Sequence, residues 1–387
     1  MQELTRMTGR VDVAVIGAGI VGAACAFRLA EAGCSVTVLE REDAPAMGST
    51  GLSAAGVRVQ FIEPVNVALS LASIRQYAQF PDWYGADSGY RPVGYLFLVP
   101  DDAWDAHLAG VEVQRSLEAP IEVLDVDEAL ARFLPFDPTG LAGATFGPID
   151  GVVDPNSVTA TYLSLARQHG ATVRLRSEVT GIAPKGADWE LAIGDDRLTA
   201  GNVVNAAGCW AGVVGRLAGI PTPVEPARRM IFLTGPADDR PTTPLTVDSA
   251  SGLYYRSEGR RLLFGRSNPH EAPGFTTGID WDWLEPTMEA AMQRFPWFAD
   301  EELDQRASWY GYYEMTPDHN AILGAATDAP GWIHASGFSG HGVQHAAAVG
   351  EVVRDEILHG RSQQIDIDPL RDDRFTDGRT RNERHII

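Results

Sequence analysis

The chain has 387 residues, 44% of them hydrophobic, enough apolar material for two domains or one large discontinuous one. Its 52 acidic against 31 basic residues give a formal charge of −21, which argues against nucleic acid or an anionic membrane surface as a partner, since both would repel it. No stretch approaches the roughly 18 consecutive apolar residues of a membrane span, and the start "MQELTRMTGR" lacks the apolar core of a signal peptide, so the expected location is the cytoplasm.

The first elements carry the most information. Val11 to Ile16 is a short apolar run suited to a strand buried on both faces, and Gly17, Gly19 and Gly22 then fit G-x-G-x-x-G. The first glycine permits the tight turn, the second lets a pyrophosphate approach the backbone, and the third lets the new helix press against the strand. Ile20 and Val21 open a helix over residues 20–32 that stops at Gly33, and "SVTVLE" is the next parallel strand. It ends in Glu40, 23 positions after Gly17, where a carboxylate can accept hydrogen bonds from an adenosine ribose. Strand, helix, strand and terminal acid together point to a bound dinucleotide.

"GSTGLSAAGVRVQF" (48–61) is a Gly- and Ser-rich loop, and residues 64–80 look helical. "YRPVGYLFLVP" reads as a strand in different surroundings, with helical pieces near 101–117 and 126–133. Residues 151–182 return to α/β character, with a helix near 155–169 and a strand near 172–177, and "TGIAPKGADWELAIG" reads as a hairpin. "NVVNAAG" (202–208) is another buried strand ending at small residues. From about 222 to 315 the strands alternate apolar and polar, as in "GLYYRSEGRRLLFG", which suits an antiparallel sheet. Residues 331–360 close with a strand, a glycine turn and a long helix. The chain thus passes twice between two domains. A charged tail, 368–387, has few apolar residues, and its last dozen are expected to be mobile. Cys25, Cys34 and Cys209 show no metal-ligand or C-x-x-C spacing and read as buried small hydrophobes, with no metal site expected. Lys185 is the only lysine.

Four segments in this order resemble the D-amino-acid oxidase superfamily of FAD-dependent oxidoreductases, and are nearest to its sarcosine oxidase and dehydrogenase branch. They are the N-terminal βαβ unit, "GSTGLSAAGVR", "VVNAAGCWA", and the closing pair "YEMTPDHNAILG" with "GFSGHGVQHAAAVG". The resemblance implies an α/β FAD-binding domain of the Rossmann-like, glutathione-reductase type, built from residues 1–88, 151–221 and 318–367. It implies a second, α+β substrate-binding domain with a mixed, largely antiparallel sheet, built from residues 89–150 and 222–317. By the same resemblance the first turn and Glu40 hold the ADP half, with Arg41 beside the adenosine, Ser49 and Thr50 near the pyrophosphate, and Ser53 and Ala54 further along that loop. The backbone of Val179 would border the adenine, and Ala207, Gly208 and Trp210 would line the cofactor. Gly337, Gly340, His341, Gly342, Val343 and Gln344 would approach the isoalloxazine. A helix that begins just after a glycine turn aims backbone N–H groups and a positive dipole end there, which stabilises negative charge on the reduced ring.

Relatives that bind FAD covalently use a cysteine just before the segment matching "YYEMTPD", or a histidine in the serine-rich loop. Those places are Gly311 and Ser53 here, so FAD is expected to be held non-covalently. Where monomeric sarcosine oxidases grip the substrate carboxylate with lysine this chain has Gln344, and where glycine oxidases use arginine it has Tyr313. The resemblance makes Arg58 the first candidate for that role, since it matches an arginine that neighbours the flavin in the sarcosine branch and a planar guanidinium can pair bidentately with a carboxylate, and Arg266, after the strand "RRLLFG", is the second. Tyr254 and Tyr255 hold adjacent strand positions and point to opposite faces, so one looks into the pocket, and Tyr255 is taken as the candidate. His341 could donate a hydrogen bond to cofactor or substrate.

The implied activity is oxidation of an amine, of secondary, N-alkyl or D-amino acid type, to an imine by hydride transfer to flavin N5. The electron acceptor is left open among oxygen, a quinone and a flavoprotein carrier. Sarcosine oxidases owe fast oxygen reactivity to a lysine over the flavin, at a place matched here by Leu263 or a neighbour, so a dehydrogenase is expected in preference to an oxidase. The alternatives are a 2-hydroxy-acid dehydrogenase on the same fold and a flavoprotein that mainly binds a partner, as in the branch related to respiratory-complex assembly proteins.

Overall fold

In the computed structural model, which describes residues 8–383, the chain opens with β1 (Thr8–Ile16), α1 (Ile20–Glu31) and β2 (Val36–Leu39). β1 and β2 pair in parallel, with Val13 beside Val36 and Ile16 beside Leu39. A parallel sheet is covered on both faces, and all four β2 residues are accordingly buried. β3 (Gly56–Val57) and the long α2 (Pro64–Tyr84) lead to β4 (Tyr95–Pro100), α3 (Trp104–Ser116), β5 (Glu122–Leu124), α4 (Val126–Arg132) and β6 (Leu141–Gly147). The chain then runs through β7 (Gly151–Val152), α5 (Pro155–Gln168), β8 (Thr172–Arg174), β9 (Gly181–Lys185), β10 (Asp188–Ile193), β11 (Asp196–Asn205) and α6 (Ala211–Ala218). A second run of strands follows: β12 (Glu225–Leu233), β13 (Leu245–Asp248), β14 (Leu253–Glu258) and β15 (Arg261–Gly265), then α7 (Leu284–Arg294) and β16 (Trp309–Met315). β17 (Ile322–Ala325), β18 (Trp332–Ser336) and α8 (Gly342–His359) complete the regular elements.

Two eight-stranded sheets organise the molecule. The first has the order β17-β18-β11-β1-β2-β8, with the hairpin β9-β10 attached to β11. β1 pairs in parallel with both β11 and β2, and α1 packs between this sheet, α5 and α8 through an almost continuous buried face from Ile20 to Ala30. The second sheet, β16-β12-β15-β14-β13-β4-β6-β5, is antiparallel except where β13 meets β4. Its two faces bury different side chains, as strand alternation requires. Met230, Phe232, Tyr255, Leu262 and Phe264 pack under α7 and Phe295 to Phe298, whereas Ile231, Leu233, Tyr254, Leu263, Leu245 and Tyr95 face the first sheet's side.

Some expectations need correction. The stretch 222–315 is not all strand, because α7 interrupts it to cover the outer face with Ala290 and Ala291. β6 and α6 were not anticipated, being short and rich in alanine and glycine. The last dozen residues, 376–387, were expected to be mobile; two 3-10 turns at Asp368–Leu370 and Asp372–Phe375 dock the charged tail just before them, and Glu383 anchors part of that segment itself. Arg374, 1% exposed, makes a bidentate pair with Asp318 at 2.8 and 3.0 Å. Glu383, equally buried, accepts hydrogen bonds from the N–H groups of Ile62 and Glu63 and from Asn66 at the start of α2. Two charged anchors, each satisfied inside, hold a segment whose composition alone suggested a solvated end. Residues 384–387 of that expected mobile segment lie outside the described residues.

Candidate functional site

A cavity of about 450 Å³ runs from the carboxyl ends of β1 and β2 to the inner face of the second sheet. At its narrow end the glycine turn does what its sterics dictate. Gly17 has φ +107°, and a Cβ there would lie 2.4 Å from the Ala206 carbonyl oxygen. A Cβ on Gly22 would lie 2.1 Å from the Gly17 carbonyl oxygen, so Gly22 acts through close packing of α1 and does not itself line the cavity. Gly19, Ile20 and Val21 do line it. Gly19 caps α1 with no side-chain acceptor, and Thr50 Oγ1 accepts the Ile20 N–H at 3.1 Å. Helix N–H groups facing a cavity form an anion site.

Glu40 stands at the end of β2, with its Oε2 accepting the Ala18 N–H at 2.8 Å and Oε1 the Glu42 N–H at 2.9 Å. Arg41 lays its guanidinium 3.7 Å from the Trp210 ring centroid, and Val179, Ala207, Gly208 and Trp210 complete this end. Along the loop after β2, Ser49 donates to the Tyr312 carbonyl at 2.7 Å and Ser53 to the Thr50 carbonyl at 2.9 Å. The carbonyl of Ala54 receives two hydrogen bonds from Arg256 on β14, which ties the loop to the second sheet.

The wide end is walled by Gly340, Gly342 and Val343 on one side and by Arg229, Ile231, Tyr254, Gly311 and Tyr313 on the other. Gly340 has φ +94°, and a Cβ would strike the Tyr313 ring at 2.5 Å, so the loop before α8 can approach the sheet only as glycine. Beside it lies a smaller chamber of about 60 Å³ bounded by Arg58, Tyr95, Tyr254, Tyr313, His341 and Gln344. Gln344 Oε1 accepts the Arg58 N–H at 3.0 Å, and an Arg58 Nη1–H donates to the Gln60 carbonyl. Asp150 supports this segment by accepting from the Val59 N–H at 2.8 Å and from Gln60 Nε2 at 3.0 Å.

Burial sets the protonation states. It pushes the carboxyl of Glu314 up to about 7, against the N–H groups of Gly337 and Phe338 that favour the anion, and it raises Asp150 to about 7 as well. The imidazole of His341 is held well below its usual range, first by burial and then by the charge of Arg58, so it is neutral. The same causes lower His345 to about 3.

Three assignments do not survive the geometry. Tyr255 faces away from the cavity and packs edge-on against Phe295, Trp297 and Phe298, and it is Tyr254 that lines both spaces. Arg266 lies outside both, donating from Nε to the Ser251 carbonyl at 2.7 Å with its guanidinium 5.3 Å from the Trp283 ring. Gly337 sits behind the wall, its N–H given to Glu314 at 2.8 Å. Arg229 was missed; on β12 its position is two residues from Ile231, and that parity marks it as facing the cavity. Among the described residues no group of three potential ligands is placed to hold a metal ion, and no helix is long and apolar enough to cross a membrane.

The narrow anion-binding end, the acid at the end of β2 and the broad end under the second sheet fit FAD, and neither Gly311 nor Ser53 offers the thiol or imidazole of a covalent anchor. Known proteins agree with this cofactor. Residues 12–356 match the family model DAO, described as FAD dependent oxidoreductase. A protein of Bos taurus, FAD-dependent oxidoreductase domain-containing protein 1, is 30% identical over 98% of this chain and 87% of its own length. Mitochondrial dimethylglycine dehydrogenase of Mus musculus is 26% identical over 95% of this chain, which spans 45% of that longer protein. Among solved structures, L-proline dehydrogenase from P. horikoshii is similar with a TM-score of 0.88 and 27% identity, covering 96% of this chain and 99% of that one.

Proposed function

The chain belongs to the DAO family of FAD-dependent oxidoreductases, and on that footing we propose that it oxidises an amine bearing a carboxylate, of secondary, N-alkyl or D-amino acid type, to the imine. The supporting observation is the small chamber. It adjoins the wide end of the cofactor cavity through Tyr254, Tyr313 and Gly340, Arg58 lines it, and among the described residues no carboxylate does. FAD, when bound, supplies the acceptor for the hydride that leaves the carbon beside nitrogen. The chain's own groups do the rest. Arg58 draws the carboxylate, and its charge disfavours the ammonium form of a nearby amine, leaving the lone pair that C–H cleavage needs. Tyr254 and Tyr313 confine the substrate and exclude water, so most of the rate comes from positioning. A 2-hydroxy acid would instead need a base, and His341 is a poor one, because the imidazolium would form in a buried site beside Arg58.

The acceptor preference follows from which cations are near. Leu263 is buried against the cavity-side cluster, and Lys185 lies on the exposed β9 paired with Glu190. The cation on the cavity wall, Arg229, is a delocalised guanidinium 5.1 Å from the Tyr313 ring and not a compact ammonium. We therefore read the enzyme as a dehydrogenase. Anaerobic mixing of the holoprotein with N-methylglycine, proline, D-alanine and 2-hydroxy acids tests the reaction. Amines should bleach the flavin and hydroxy acids should not; bleaching by hydroxy acids alone, or by none of the panel, overturns the reading.

A further inference from the structure

Among the described residues Arg229 makes no ion pair of its own. Its neighbour Arg228 points to the opposite face of β12 and is fully partnered, its Nε and Nη2 donating to Glu271 at 3.0 and 3.1 Å with Asp280 at 3.9 Å. Arg229, on the cavity face, gives one Nη1–H to the Arg228 carbonyl at 2.9 Å, and its Nε is buried with no partner. The acid that acts on it electrostatically is Glu271, which Arg228 already holds. The ladder neighbour of Arg229 is Gly311, which brings no side chain. With its Nε sealed and the rest of the side chain half-buried on the cavity wall, this guanidinium is stabilised by an anion arriving there. The FAD pyrophosphate belongs at the other end, by Gly19, Ile20 and Thr50, and cannot serve. Tyr313 lines both spaces, with Arg229 5.1 Å from its ring centroid, and the charges of Arg229 and Arg58 both act on its phenol.

We propose that Arg229 binds a second acidic group of the substrate, so that the molecule oxidised is an amine flanked by two carboxylates, one drawn by Arg58 and the other by Arg229. This rests on the amine reading above and narrows its substrate class. The test uses holoprotein and two ether analogues that cannot be oxidised as amines, oxydiacetate with two carboxylates and methoxyacetate with one, followed by flavin absorbance perturbation and thermal midpoint. Oxydiacetate should bind about 30- to 1000-fold more tightly, as expected for one added buried ion pair. Arg229→Met should abolish that preference and leave methoxyacetate unchanged, and Arg229→Lys should restore part of it. In turnover, N-carboxymethylglycine should have a lower KM than N-methylglycine in the wild type but not in Arg229→Met. Equal binding of the two ethers, equal loss of both in Arg229→Met, or loss of FAD with the preference intact would overturn the assignment. An intact preference for oxydiacetate with no bleaching by any amine would remove the amine reading while leaving the anion site standing.

Discussion

Replacing Gly22 with alanine tests the cofactor cradle where its geometry is tightest. The new Cβ would lie 2.1 Å from the Gly17 carbonyl oxygen, and real contacts of that kind essentially never fall below 3.0 Å, so one of the two must move by about 0.9 Å (3.0 − 2.1). Gly17 has nowhere to go, since its own Cβ direction meets the Ala206 carbonyl at 2.4 Å. The helix α1 is confined on its far side as well, where Gly350 of α8 lies so close that a Cβ would sit 2.7 Å from the Ala24 carbonyl. Overpacking should therefore cost about 1 to 3 kcal/mol of stability. It should also pull the N–H groups that open α1 away from the pyrophosphate. Losing two hydrogen bonds to a charged partner, at about 1.5 to 3 kcal/mol each, weakens FAD binding by roughly two to four powers of ten. Titration of apoprotein with FAD by flavin fluorescence quenching reads the affinity, and far-UV circular dichroism with the melting midpoint shows whether the apoprotein is folded. A folded Gly22→Ala apoprotein that binds FAD within about threefold of wild type would refute this account of the turn.

Three further outcomes are expected. Acid precipitation of the yellow holoprotein should leave FAD in the supernatant, because Gly311 and Ser53 provide no covalent anchor; flavin pelleting with the protein would contradict this. Stability should fall as pH rises from the ordinary carboxyl range to about 7 and level off above it, since Asp150 and Glu314 have folded-state pKa values raised to about 7 and across that window the folded protein holds protons that the unfolded chain has already lost. Their contribution is present below the unfolded carboxyl range and is lost as pH rises through about 7, whereas the lowered His341 and His345 act in the opposite sense as pH rises through about 6.5. The unfolding free energy from urea titration should thus drop by on the order of 1 kcal/mol between about pH 6.5 and about pH 8, the two histidines offsetting part of the carboxyl contribution, and a flat or rising profile would count against both carboxyl assignments. In stopped-flow reoxidation, an artificial dye should outpace air-saturated buffer, and equal rates with stoichiometric hydrogen peroxide would mark an oxidase.

The cofactor half was legible in the sequence because its constraints are steric and local. Gly17, Gly19 and Gly22 admit one reading once a strand precedes them and Glu40 follows at the end of the next. The catalytic half was not, for reasons seen in particular residues. Tyr254 and Tyr255 are identical in kind, and so are Arg228 and Arg229; which member of each pair faces the cavity depends on the register of β12 and β14 in a sheet assembled from distant segments. Arg266 follows a strand that reaches the site but turns back under Trp283, a contact supplied by a loop with no periodicity to announce it. The tail misled because Arg374 and Glu383 read as solvated charges, and only Asp318, in a turn far upstream, and the open N–H groups before α2 make them interior.

The order in which the first sheet is assembled has a consequence for synthesis. β1 pairs with β11, which emerges about 190 residues after it, and α1 is fully packed only when α8 joins α5 against it. At about 5 to 20 residues per second on the ribosome, the nascent glycine turn waits on the order of ten to forty seconds for β11 alone. During that interval and until α8 emerges, Ile20 to Ala30 remain only partly covered, open to chaperones and to other chains. A polypeptide released before α8 should therefore emerge as an aggregation-prone fragment and not as a smaller flavoprotein, and FAD capture should come only after α8 has been made.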